Sequence, residues 1–466
     1  MGRVMQLCTM PADVAEAVAE WMAGLTRAHD ELGRKGPVCP FVRPADEAGA
    51  IRTECLRAES GDGIEELVAA LRRQVHRFGE FPASGGREPL DSLVTVMDGL
   101  PRHRWRLLDA AQRRIRREVV AAGLMVGQFH PECPEPGYWN PSFMVSRSPV
   151  PLIVLRRMAF HDILFLHSDP ALFAEYDRRF GRWYQEGKVP AEFRALYDNA
   201  PRLPAATGRP YLDYQSIPLL HALHQPRTEH QPESSFYLAG QSMELLFSLV
   251  LGEVRAAQEG MVVDDLGRCG WHLRRATAGM RLLCGFWDLL STLSPAEFNS
   301  FRDALGEASG LGSYKYRTLE FALGAKSPAM AARHDGVPAV AAEVYRALHD
   351  ASAYDDALGV LVRRGLLADD DAGHDRDPVA VRSAWARIYR EETVSGDLVR
   401  WAEALMDLAE TVGRWRRLHL LTVERIIGYK PGTGGTAGVE WLRDVATHHV
   451  FPELWEARLQ LSGGPA

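Results

Sequence analysis

Apolar residues follow two rhythms along this chain, and the change between them divides it. From the start to about Gly187, helical stretches (Val14 to Leu32, Arg104 to Ala122) alternate with short runs of strand character, LDSLVTVM and PLIVLRRM. That alternation predicts a small α+β domain. A polar, proline-containing stretch, KVPAEFRALYDNAPRLPAATGRP, then reads as a linker. Beyond Tyr211 the strand-like runs nearly vanish and long amphipathic helices take over, so this part is expected to be all-α and the chain mainly α. The segment ADDDAGHDRDP, Ala368 to Pro378, reads as a solvated acidic loop. No internal repeat or low-complexity tract interrupts the pattern.

Three helices of the second part hold the candidate chemistry. In the first, Phe236 to about Ala256, the residues Phe236, Gly240, Met243, Phe247, Val250 and Val254 form one apolar stripe, with Gln241, Glu244 and Ser248 beside it. An ordinary core helix explains the stripe, but not Gly240, because a mid-helix glycine costs about 1 kcal/mol relative to alanine. The second begins Ser294-Pro295-Ala296-Glu297, a serine N-cap with proline and glutamate at the favoured positions. Phe298, Phe301, Arg302 and Leu305 follow at i, i+3, i+4 and i+7, which sets Arg302 on or beside the apolar stripe. A guanidinium there needs an anion, either an internal carboxylate or the carboxylate of a ligand.

The third helix places Trp415, His419, Thr422, Val423 and Ile426 on one face, then breaks into GTGGTAG, while Arg414, Arg417, Glu424 and Arg425 can reach solvent or neighbouring helices. A lone histidine on an apolar face is either a hydrogen-bonded core residue or a ligand to something buried. The glycine loop is not a nucleotide loop, because Gly438 is followed by Val439-Glu440 rather than Lys-Ser/Thr. Its glycines suit a loop that moves over a ligand, with Thr433 offering a hydroxyl.

Composition narrows the class. With 466 residues, 46% hydrophobic and 25% charged, the chain has material for two or three soluble domains with real cores. A net charge of −7 gives no basic surface for nucleic acid or anionic membrane. No apolar run is long enough to span a membrane, and the first residues lack the pattern of a signal peptide. Cys8, Cys39, Cys55, Cys133, Cys269 and Cys284 are scattered without a CxxC pair, which fits a reducing cytoplasm better than a disulfide framework or zinc site. His130, Cys133 and His161 match no standard metal spacing, and loop or core roles are expected for them.

Five blocks, in order, carry a resemblance: FYLAGQSMELLFSLVLGEV, LSPAEFNSFRDALGEASGLGSYKYRTLEFALG, IYREE, WRRLHLLTVERIIGYKPGTGGTAGVEWL and FPELWEARL. They resemble the tryptophan 2,3-dioxygenases, all-helical haem enzymes of tryptophan breakdown, from roughly Gly208 to Leu461. The resemblance implies a haem dioxygenase-like helical bundle over 208–466, after an α+β domain at 1–187 and a linker at 188–207. It makes His419 the proximal ligand of haem b, with ferrous iron and O2 as co-substrate. Arg302 corresponds to the arginine that pairs with the amino acid's carboxylate, and Thr433 to the loop threonine that contacts its ammonium group. Phe236, Phe298 and Leu305 correspond to indole-pocket residues, and Ser309 and Gly310 to a Ser-Gly pair beside the haem. Tyr211, in PYLDY, resembles a segment that reaches into a neighbouring subunit's site, and the family implies a homotetramer.

One position departs from the family. A histidine that hydrogen-bonds the indole N–H stands before the glutamine in the family's first block, where this chain has Gly240-Gln241, and Met243 replaces a commonly aromatic residue. The implied reaction is dioxygenation of the indole C2–C3 bond of tryptophan, or of an N- or ring-substituted tryptophan, to an N-formylkynurenine-type product. The rival readings are a haem monooxygenase giving an oxindole or hydroxylated product, and a non-catalytic haem- or ligand-binding protein. The first part, with GLMVGQFHPECPEPGYWNPSFMVSRSPVPLIVLRRMAFHDILFL, resembles a small uncharacterised bacterial domain met near natural-product genes. Specialised metabolism is therefore expected rather than housekeeping breakdown.

Overall fold

The computed structural model describes residues 5–58, 63–80, 90–187, 189–202, 207–369, 376–391, 393, 396–428 and 439–461. The chain divides into two compact units, Met1–Tyr214 and Gln215–Ala466.

The first unit is built on strands β1 (Gln6–Leu7), β2 (Ile51–Arg57), β3 (Ser92–Asp98), β4 (Leu124–Phe129) and β5 (Leu152–Arg157), in the order β1-β2-β3-β5-β4. β2 and β3 run parallel, Ile51 opposite Ser92, while the other pairs are antiparallel. The predicted runs LDSLVTVM and PLIVLRRM are thus β3 and β5. Every residue of β3 from Leu93 to Met97 is buried, as expected of a β-branched central strand covered on both faces. Helix α1 (Ala12–Leu25) precedes the parallel pair, α2 (Ile64–Gly79) connects its strands, and α3 (Arg106–Ala121) packs against α2 and β4. Gln74 of α2 reaches the sheet, donating to Thr95 Oγ1 (2.9 Å) and Glu54 Oε2 (3.0 Å).

After β5 come α4 (Pro170–Gln185) and α5 (Ala191–Asp198). α5 lies in the stretch expected to be a linker, and it is helical because Phe193 has a place in a core. Phe193 is buried among Tyr176, Tyr184 and Phe173, with its ring edge-on to Phe160 at 5.3 Å.

In the second unit the described residues form helices and no strand. They include α6 (Ile217–Ala222), α7 (Gln231–Val262), α8 (Leu266–Leu290), α9 (Pro295–Leu305), α10 (Tyr314–Ala322), α11 (Ala353–Arg363), α12 (Pro378–Glu391), α13 (Asp397–Ile427), α14 (Val439–Thr447) and α15 (Pro452–Leu461). α7, α8 and α13 are the long members, with α8 packed against both others. Gly279 permits the α7–α8 contact, because a Cβ there would sit 2.7 Å from Val250 Cγ2. Val250, Val254, Leu273, Met280, Trp401 and Leu405 are fully buried in one continuous core. No helix is long and apolar enough to cross a membrane among the described residues.

The start of α9 is the predicted capping box: Ser294 Oγ accepts from Glu297 N–H (3.2 Å), and Glu297 Oε2 accepts from Ser294 N–H (2.8 Å). A Ser294→Ala substitution is expected to cost about 1 kcal/mol locally. Amide hydrogen exchange over residues 295–305 should then quicken several-fold while exchange in α8 stays unchanged.

Candidate active site

α7 and α9 meet through aromatic rings. Phe236, one turn into α7, packs against Phe298 (centroids 5.8 Å) and Phe301 (5.6 Å) of α9, which also touch each other at 5.3 Å. Phe301 is fully buried, while Phe236, Phe298, Arg302 and Leu305 are half-buried, so the helical spacing read from the sequence becomes one partly open patch. Arg227, just before α7, closes the far end of α9 by donating to the Ala304 and Leu305 carbonyls, each at 2.9 Å.

His419 stands in the last third of α13. Its imidazole lies flat against Trp287 of α8, centroids 4.4 Å apart and planes within 9°, and Trp415 flanks it at 5.7 Å. Trp415 also meets Phe247 of α7 (5.6 Å) and Tyr316 of α10 (4.8 Å), so four helices fix this wall. Burial pushes the His419 pKa down to about 4, and the ring is neutral at physiological pH. The Trp287 and Trp415 indole N–H groups are buried without an acceptor among the described residues.

Gly240 lies on the exposed side of α7, and a Cβ built on it meets nothing within 4 Å. The next residue, Gln241, holds His224 through an Nδ1 to Oε1 contact of 2.7 Å and donates to the Leu223 carbonyl at 3.2 Å. Met243 is buried in the core, as a stripe position should be. Ser309 caps a single 3-10 turn, accepting from Leu311 N–H at 3.4 Å, with Gly310 as its first residue. Thr433 lies outside the described residues, as does the whole glycine loop. Gly428 ends α13 just before that loop at φ +63°, a backbone state that glycine adopts without steric cost. Tyr211 is largely exposed on the short helix Pro210–Gln215.

The family described as tryptophan 2,3-dioxygenase matches residues 197–336 and 341–461, more than half of the chain. The chain belongs to that family. A tryptophan 2,3-dioxygenase from Polaromonas sp. is 38% identical over 276 residues, 58% of this chain and 93% of the relative. One from Bradyrhizobium sp. strain ORS 278 is 37% identical over 277 residues, 56% of this chain and 99% of its own. Another, from Exiguobacterium sibiricum, is 38% identical over 257 residues, 54% of this chain and 92% of its own. Residues 15–190 match a separate family described only as a domain of unknown function.

Family membership makes the chain a haem-dependent dioxygenase that uses O2. The wall around His419 fits such a group on its own evidence. A neutral imidazole with no hydrogen-bond partner among the described residues carries an uncommitted lone pair, the state in which histidine ligates iron. The two indole N–H groups beside it find no acceptor among the described residues. Two supports of this candidate site are not among the residues singled out from sequence. Trp287 comes from α8, whose apolar stripe gives no local sign of a ring stacked on a histidine. Arg416, buried next to Trp415, donates to Tyr316 Oη (3.2 Å), Glu320 Oε1 (2.7 Å) and the His448 carbonyl (2.9 Å). Only its burial distinguishes it from the exposed Arg414 and Arg417 on either side.

Proposed function

We propose that this dioxygenase opens the indole C2–C3 bond of tryptophan, with room for a substituted tryptophan, to give an N-formylkynurenine-type product. The observation that carries the reading is the neutral, indole-walled His419 on the same helical frame as the Phe236–Phe298–Arg302 patch. Haem, when bound through His419, supplies the iron chemistry that activates O2.

The chain's own part is positioning. Arg302, half-buried on α9, receives the substrate carboxylate through its two-pronged guanidinium. Phe236, Phe298 and Leu305 take the indole faces and keep water from the reacting bond. Thr433, in the glycine-rich sequence after α13, holds the ammonium group. Ser309 and Gly310 border the haem, and Tyr211 serves the site of a neighbouring copy. That role for Tyr211 agrees with its exposure and with the outward row Leu238, Leu245 and Leu249 on α7, which suits burial in a homotetramer. A cytoplasmic enzyme of specialised metabolism completes the reading, supported by the six free cysteines and the additional first unit.

Gly240 sets the expected specificity. With open space at that position, no side chain there accepts the indole N–H, so an N-alkyl group forfeits no hydrogen bond and meets no wall. Turnover of tryptophan, 1-methyltryptophan and ring-methylated tryptophans by the ferrous holoenzyme under O2, read by product mass, tests this. A gain of two oxygens with analogues at least equal to tryptophan is expected, and Gly240→His should shift preference towards plain tryptophan by about tenfold or more, the worth of one hydrogen bond. A gain of one oxygen would instead support monooxygenation. Wild type preferring plain tryptophan, with no gain from Gly240→His, would remove the specificity argument.

A further inference from the structure

The first unit contains a closed constellation that the oxygenase reading does not use. Asp109 projects from α3, His130 follows the end of β4, and Cys133 sits on the turn closed by Cys133 N–H to the His130 carbonyl at 3.0 Å. Asp109 is 2% exposed, and His130 and Cys133 are 0% exposed. Each offers a donor atom within 4.8 Å of the other two. His130 Nε2 is 3.1 Å from Asp109 Oδ2, and Cys133 Sγ is 3.7 Å from Asp109 Oδ1.

One feature of this group asks for a further partner. The Asp109 carboxylate lies out of water with only an imidazole and a thiol as polar partners among the described residues, and no arginine or lysine. A carboxylate buried without a cation beside it is expensive. We propose that Asp109, His130 and Cys133 bind a zinc ion. A divalent cation is neutralised by one carboxylate and one thiolate, which leaves the buried centre uncharged with the imidazole as neutral third ligand.

The spacing is close to that of zinc coordination. Zinc bonds of about 2.0–2.1 Å to N and O and about 2.3 Å to S put N···O and S···O edges at about 3.3 and 3.5 Å. His130 Nε2 lies 3.1 Å from Asp109 Oδ2 and Cys133 Sγ 3.7 Å from Asp109 Oδ1, so the two donors meet different oxygens and binding through one oxygen needs a turn of the carboxylate. The Gln128 main-chain carbonyl, 3.8 Å from Cys133 Sγ, is an oxygen donor within reach of the fourth position. A site closed on all sides fits a structural ion, here fastening the segment after β4 to α3. The sequence did not suggest it because the carboxylate comes from 21 residues upstream on another element. His161 belongs elsewhere, packed edge-on to Phe41 and Phe193. A second cysteine pair, Cys8 and Cys55 beside Asp98, lacks the same need, since Arg57 already pairs with Asp98 at 2.6 Å.

The test is elemental analysis of the full-length protein purified without chelator from zinc-replete cells, with haem iron measured in the same sample. About one zinc per chain is expected, with zinc K-edge spectra showing one sulfur at about 2.3 Å and lighter N/O neighbours. Cys133→Ser should lose the zinc while haem iron is unchanged. In a purely hydrogen-bonded cluster the serine hydroxyl would keep the contact to Asp109, and nothing would be lost. Wild type with haem iron but no stoichiometric zinc, zinc with no sulfur neighbour, or a Cys133→Ser protein that retains zinc would each overturn the proposal. If Cys133→Ser fails to fold, the wild-type stoichiometry and sulfur count decide it. Haem and oxygenase activity are read separately, so neither result depends on the other.

Discussion

A His419→Ala variant is expected to lose haem affinity by more than about 100-fold, since even changes to groups that only support a metal ligand cost about 10–100-fold. Purified in the same way as wild type, it should show a far-ultraviolet spectrum typical of the helical fold and little haem absorbance. Product formation from any tryptophan should fall with it. The fold should persist because the ring contributes no hydrogen bond among the described residues, and its main contacts, Trp287 and Trp415, remain anchored by the surrounding core. Free imidazole at millimolar concentration should restore part of the haem binding by occupying the vacated space. A variant with wild-type haem stoichiometry and an unchanged axial-ligand spectrum would rule out His419 as the ligand.

What the sequence made visible here was local and periodic. The capping box, the Phe236 stripe and the Phe298–Arg302–Leu305 spacing each depend on residues within a turn or two, and each lies where helical geometry puts it. Gly240 is the exception: the spacing sets it on the stripe, but it is exposed, with Ala239 buried in its stead. β3 and β5 were legible for the same reason, being short β-branched runs between turns. What escaped notice depends on distant partners. Phe193 turned an apparent linker into α5 because Phe160, more than thirty residues earlier, waits for it in the core. The stacking of Trp287 on His419 joins two helices whose individual patterns are both those of ordinary core helices. Asp109 reads as one more polar residue in an arginine-rich helix until the fold brings His130 and Cys133 to it. Periodicity tells which face is buried, but it does not tell what the opposing face presents.

The strongest case of that kind is the buried charge network beneath Trp415, and it carries the largest expected effect on stability. Glu320 of α10 accepts from Arg416 of α13 and pairs with Arg317 one turn earlier on its own helix, and all three side chains are at most 7% exposed. Burial alone would lower the Arg416 pKa, but Tyr316 and Glu320 beside it outweigh that effect and raise it, so the guanidinium stays charged. One carboxylate therefore serves two buried cations. Glu320→Gln removes that charge and strands both, which is expected to cost about 3–5 kcal/mol. For a unit of this size that corresponds to a melting transition lowered by about 6–20 °C in scanning calorimetry. Arg416→Met should cost less, because Glu320 keeps Arg317 and the methionine fills the apolar part of the space. The two variants also separate stability from site geometry. Arg416 ties α13 to Tyr316 and to the His448 carbonyl one turn before His419, so Arg416→Met should release haem faster than wild type even where the fold is intact. If Glu320→Gln melted like wild type, or Arg416→Met proved the more damaging of the two, the shared carboxylate would not be the group holding these cations in the core.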